Sequence, residues 1–112
     1  MSSIIDINIY NNNELTYEKK EISCVYKKNN YIEYNDDYGM HHINLIDNIY
    51  KKKSDTEQII IDFNNNSCQI ITNDGYDFSI DIESNLIINE DSIALEYVFG
   101  DEQIKIKLDM KE

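Results

Sequence analysis

The stretch Ser92-Ile-Ala-Leu-Glu-Tyr-Val-Phe-Gly-Asp-Glu-Gln-Ile-Lys-Ile-Lys-Leu-Asp-Met110 decides the fold. Every second residue is apolar: Ile93, Leu95, Tyr97 and Phe99, then Ile104, Ile106, Leu108 and Met110. A strand sends successive side chains to opposite faces, so this alternation builds one apolar wall and leaves Glu96, Lys105, Lys107 and Asp109 toward water. Val98 is the one large apolar residue on the outer face. Gly100-Asp101 supplies a glycine where a two-residue hairpin turn needs a positive φ, so the stretch reads as a β-hairpin.

Working back toward the N-terminus, the same period recurs in short pieces. Ile5, Ile7 and Ile9 alternate first, Leu15 with Tyr17 opens a second stretch, and Ile22, Cys24 and Tyr26 continue it. Lys28-Asn29-Asn30 turns the chain into Tyr31-Ile32-Glu33-Tyr34, and Ile43 with Leu45 forms the next inward face before Asp47-Asn48. A short strand from Ile49 ends at Lys51-Lys52-Lys53. Ile59, Ile61 and Phe63 follow, then Ser67 to Asn73, then Phe78, Ile80 and Ile82 after the hairpin signal Asp74-Gly75, and a brief extended piece from Leu86 to Asn89. Among the fifteen asparagines, the clusters Asn11-Asn12-Asn13, Asn29-Asn30 and Asn64-Asn65-Asn66 fall between these alternations, where Asn tolerates left-handed backbone and makes Asx turns. No segment shows a helical period.

Eight to ten consecutive antiparallel strands in 112 residues predict an all-β single domain spanning residues 1–112 with little or no helix. Two architectures satisfy the pattern, a closed or nearly closed up-and-down β-barrel and a β-sandwich. Closure removes the exposed edge that a segment such as Gln58 to Phe63 otherwise presents to neighbours, and the hairpin-to-hairpin order favours the barrel.

Charge is the extreme quantity. Ten lysines stand against twenty-two acids, a formal charge of −12, and no basic residue is an arginine. Residues 1–56 carry seven lysines and nine acids, residues 57–112 three and thirteen, so the halves are −2 and −10. A negative surface repels phosphate backbones, and a chain without guanidinium forks is unsuited to direct nucleic-acid binding. Net charge keeps a β-rich chain dispersed; an acidic face built on Asp77, Asp81 and Glu83 also suits a basic protein partner. No apolar run approaches the roughly twenty residues of a membrane-spanning helix. Two cysteines, Cys24 and Cys68, fit buried thiols in a reducing cytoplasm, and the excess of isoleucine and asparagine fits an AT-rich genome.

The succession Tyr31-Ile32-Glu33-Tyr34 before an acidic stretch, Ile43-Asn44-Leu45 with an Asp-Asn turn, Ile59 to Phe63, Asn73-Asp74-Gly75, and Leu95-Glu96-Tyr97 resembles the YwiB-like bacterial proteins. The resemblance implies a small cytoplasmic domain with a calycin-like, lipocalin-like β-barrel, in a family with no established activity.

Motifs for chemistry are sparse. His41 and His42 are adjacent, and on a regular strand they point to opposite faces, so they do not chelate one metal together. Asp36-Asp37, Glu90-Asp91 and Asp101-Glu102 fall at turns, where like charges separate into solvent. There is no nucleophile elbow and no glycine-rich phosphate loop; the sequence implies no metal, no cofactor and no enzymatic activity. What remains is the tyrosine set. Tyr26, Tyr34 and Tyr97, with His41 and Phe99, fall on inward faces and are the candidate lining of a cavity for a small apolar or amphipathic ligand. Whether side chains fill the barrel or surround a ligand depends on volume.

Overall fold

The computed structural model describes residues 2–111 as eleven strands in one antiparallel sheet. They are β1 (Ser2–Asn11), β2 (Glu14–Lys27), β3 (Tyr31–Asp36), β4 (Gly39–Asn44), β5 (Ile49–Lys53), β6 (Glu57–Asp62), β7 (Ser67–Thr72), β8 (Asp77–Asp81), β9 (Glu83–Ile88), β10 (Ser92–Phe99) and β11 (Glu102–Lys111). Neighbours in sequence are neighbours in the sheet from β1 to β8 and from β9 to β11, and β1 pairs with β11. That order is an up-and-down barrel, one strand longer than the sequence predicts. The extra strand has a simple origin. Residues 77–88 form a nearly continuous run interrupted only at Ile82, whose first part pairs with β7 and whose second part pairs with β10. One bent span therefore carries the sheet across its seam and nearly closes it. At the bend, the Ile82 N–H donates to the Asn66 carbonyl at 2.9 Å, and the Asn66 side chain accepts from Ser84.

The opening hairpin is as predicted. Ile93 lies across from Leu108 and Leu95 from Ile106, all four buried, with Gly100 at φ +63° in the turn. The remaining core comes from inward residues of nearly every strand, among them Ile5, Ile7, Ile32, Ile43, Ile61 and Cys68. Both thiols are free and buried, and burial pushes each above its ordinary range. Phe78 departs from the inward pattern: it is about half exposed at the start of the bent span, beyond which β8 has no second neighbour. Among the described residues no helix is long and apolar enough to cross a membrane.

Two apolar runs in β2 are out of phase, since Tyr17 is odd-numbered and Ile22, Cys24 and Tyr26 are even. Only an inserted residue puts both on one face, and the structure supplies it. Ile5 faces Ile22 but Ile7 faces Lys19, and Glu21 takes φ +57°. Such a bulge bends the strand and re-aims its side chains. Asp6 pins it: one carboxylate oxygen accepts the Glu21 N–H at 3.0 Å and the other pairs with Lys111 at 2.9 Å. Those contacts, first the Lys111 ammonium and then the Glu21 N–H, hold the Asp6 carboxyl below its usual range.

A carboxyl with a depressed folded-state pKa stabilises the fold above the unfolded value and loses that contribution as pH falls. Asp6→Asn is expected to lower Tm at pH 7, with the gap to the wild type closing as pH drops below about 4. Thermal melts of both proteins from pH 7 to pH 3 check this; a gap constant with pH contradicts it.

Candidate functional site

On β3 the inward positions are Ile32, Tyr34 and Asp36; on β4 they are His41 and Ile43; on β5 they are Tyr50 and Lys52. Register sets Tyr34 opposite His41, Ile43 opposite Tyr50, and His41 opposite Lys52. Three adjacent strands thus bring a carboxylate, an imidazole and two phenols to one patch of the inner wall.

The patch is a relay. His41 Nε2 lies 2.7 Å from Asp36 Oδ1, and His41 Nδ1 lies 2.8 Å from the Tyr50 hydroxyl. A carboxylate only accepts, so the Nε2–H donates to Asp36, while Nδ1 and the Tyr50 hydroxyl share the second hydrogen bond. The His41 ring is stacked on Tyr34 at 4.5 Å between centroids and 8° between planes, and Tyr50 lies beyond at 5.9 Å. The Asp36 side chain is fully buried and that of His41 is 2 % exposed. Asp36 Oδ1 also accepts the Tyr38 N–H at 2.8 Å, closing an Asx turn between β3 and β4. That turn needs Gly39, at φ +130°, because a Cβ there would overlap the Lys53 carbonyl. One carboxylate both shapes the turn and orients the imidazole. Two buried atoms of the cluster, the Tyr34 hydroxyl and Asp36 Oδ2, have no hydrogen-bond partner among the described residues.

A cavity of about 210 Å³ opens beside the relay, at the end of the barrel where β1–β2, β3–β4, β5–β6 and β10–β11 turn. His41 and Tyr50 form part of its wall; Ile9, Tyr97, Ile104 and Ile106 supply its apolar side, and Asn11, Thr16, Tyr38 and Lys52 its rim. The other half of the barrel is filled by the core. A larger depression of about 320 Å³ over Glu83, Asn85, Glu96 and Gln103 shares Tyr97 and Ile104 with the cavity and is more polar, and one of about 470 Å³ between the β3–β4 and β5–β6 turns is more open. Only the smaller space is bounded by the His41–Tyr50 pair.

The phenols of the cluster are kept neutral. Burial, reinforced by the nearby Asp36 carboxylate and neighbouring phenols, raises Tyr34 and Tyr50 well above the ordinary tyrosine range, and burial pushes Tyr97 up to about 12. A general base works best with a pKa near the operating pH. Of these hydroxyls, that of Tyr50 is held in a hydrogen bond with His41 Nδ1.

Of the residues the sequence proposes as lining, His41 and Tyr97 meet in the cavity and Tyr34 backs His41. Tyr26 packs against the core at the opposite end, across from Ile32. Phe99 is 36 % exposed at the tip of β10, outside the cavity wall, because the inner face runs out where the strand reaches its turn. Asp36 corrects the reading of Asp36-Asp37 as a solvated pair: only Asp37 is exposed, where it accepts from the Tyr17 hydroxyl and pairs with Lys19. The inward phase Ile32, Tyr34, Asp36 carries that signal, and the phase of Tyr50 and Lys52 against Ile49 carries theirs. His42 faces outward as its neighbour's opposite, stacked on Tyr31 and bonded to Glu33. Asp77, Asp81 and Glu83 are exposed, Asp77 accepting from Gln69. No protein-family model, curated protein or solved structure matches the chain.

Removing one partner from a buried polar pair strands the other, at a cost of about 3 kcal/mol, whereas exposed charges change stability by about 0.5 kcal/mol or less. Urea unfolding is expected to place Asp36→Ala near the first figure and Asp37→Ala near the second. Equal losses for the two variants contradict the relay.

Proposed function

We propose that this protein is a non-enzymatic barrel that binds one small amphipathic molecule, its apolar body against Ile9, Tyr97, Ile104 and Ile106 and its polar end on the His41–Tyr50 pair. The observation that carries the reading is the position of that pair. A buried polar network stabilises a core only when its members are satisfied, and a purely structural relay gains nothing by bordering an internal space. Here two of its members form the wall of one. The arrangement matches the usual form of a small-molecule site, a mostly apolar concavity with a few placed polar groups. Its size suits a compact ligand, since an apolar cavity of about 150 Å³ already holds a benzene ring. The neutral phenols favour recognition over proton transfer.

The likeness of the strand and turn pattern to the YwiB-like proteins supports a calycin-like barrel, and the two buried free thiols fit a reducing compartment such as a bacterial cytoplasm. The alternative, an acidic protein docking Asp77, Asp81 and Glu83 on a basic surface, rests on their exposure and on the charge of residues 57–112 alone.

The probe for the cavity is p-cresol, a ring of suitable size with one hydroxyl. In an amide-resolved NMR titration its addition is expected to shift Ile9, Tyr50, Tyr97 and Ile104 and to leave Tyr26 and the β8 strand unmoved. Ile104→Phe, which fills the half-buried wall without introducing a polar group, is expected to fold and to abolish the shifts. No saturable shift in the wild type, or equal shifts in the filled variant, overturns the reading.

A further inference from the structure

We propose that the ligand is an anion, a small carboxylate on an apolar body, and that Lys52 is the residue that selects it. The inference rests on the binding reading above and deepens it. Twenty-two of the 112 residues are acids, and both larger depressions hold exposed ones: Glu83 and Glu96 in one, Asp37 and Asp55 in the other. The wall of the inner cavity contains no acid at all. Its one permanent charge is the Lys52 ammonium.

Lys52 is set apart from its neighbours by strand phase. Lys51 and Lys53 are exposed on the outer face of β5, while Lys52 shares the inward phase of Tyr50, lies between His41 of β4 and Ile59 of β6, and is half-buried. Among the described residues the five ion pairs go to other cations, three of them lysines, and Lys52 is within ion-pair distance of no carboxylate. Its ammonium lies instead over the Tyr38 ring, 5.9 Å from the centroid, at the rim. Cation–π contact of this kind holds a lysine in place without consuming its hydrogen-bond donors, since the ring face offers no lone pair in their direction. Asp36, the nearest buried carboxylate of the cluster, is already engaged by the His41 imidazole and the Tyr38 N–H and stays out of the cavity wall. Half-buried on the rim and across from His41 in register, the unpaired Lys52 ammonium is matched by an incoming carboxylate. The Asn11 amide on the same rim adds a neutral donor. The −12 charge of the chain opposes any anion at long range, but screening confines that opposition to about 10 Å or less at moderate salt, whereas a contact with Lys52 is made at hydrogen-bond distance.

Three probes of one shape separate the possibilities: p-cresol, p-toluate and p-methylbenzylamine, titrated into the full chain at low salt and again at 0.5 M salt. At low salt p-toluate is expected to bind roughly tenfold or more tighter than p-cresol, as charge-assisted hydrogen bonds do over neutral ones, and to lose most of that advantage in high salt. Lys52→Met is expected to bring p-toluate down to the affinity of p-cresol measured on the same variant. Lys52→Arg keeps the preference, and Lys53→Met, on the outer face, changes nothing. Equal binding of p-toluate and p-cresol, tighter binding of the amine, or a preference that survives Lys52→Met overturns the assignment and leaves the cavity reading standing. Failure of p-cresol to bind overturns both.

Discussion

In a nearly closed antiparallel barrel the inward side chains must share one interior, and this constraint governs the whole molecule. A barrel of about eight strands is just filled by its own residues, and interior width grows with strand number. Here eleven strands form the wall, two of them sharing one bent span. Where Ile5, Ile32, Ile43, Ile61 and Leu108 gather, the space is filled. Toward the β3–β4 end it is not, and the residues there are aromatic and polar. The cavity follows from closure as much as from any residue beside it.

Placing a carboxylate and an imidazole inside such a wall is costly unless each finds partners. The solution here is local and joins backbone to side chain. Gly39 allows the tight β3–β4 turn against the end of β5, the turn offers the Tyr38 N–H to Asp36, and Asp36 in turn fixes the His41 ring between Tyr34 and Tyr50. A similar economy operates at the bulge in β2, where Asp6 meets both a freed backbone N–H and the Lys111 ammonium. In both places one aspartate lets an irregular backbone persist in an otherwise regular sheet.

The surface and the interior follow opposite electrostatic rules. Outside, acids dominate and are exposed, with modest pairings such as Lys107 with Asp109 at 3.9 Å. Around the cavity, phenols and one imidazole stand among isoleucines, with Asn11, Thr16 and the Lys52 ammonium at the rim. The raised tyrosine pKa values and the absence of acids from that wall have a common root, since low polarity penalises negative charge without a partner.

Strand phase was legible in the residues themselves. Alternation in Ser92 to Met110 and its repeats determined the strands, their inward faces and the turn positions, because a period of two depends only on neighbouring residues. It placed Tyr34, His41 and Tyr97 inward, and the same rule extended by two residues reaches Asp36 and Lys52. What phase does not contain is height along the barrel axis. Tyr26 and Phe99 obey the alternation as well as Tyr97 does, yet one packs at the far end and the other emerges at a tip. Strand stagger, the bulge at Glu21 and the bend at Ile82 set those heights. They arise from pairing between residues far apart in the chain, and so only the tertiary structure decided which inward residues meet, and that Asp36, His41, Tyr50 and Lys52 meet beside an open space.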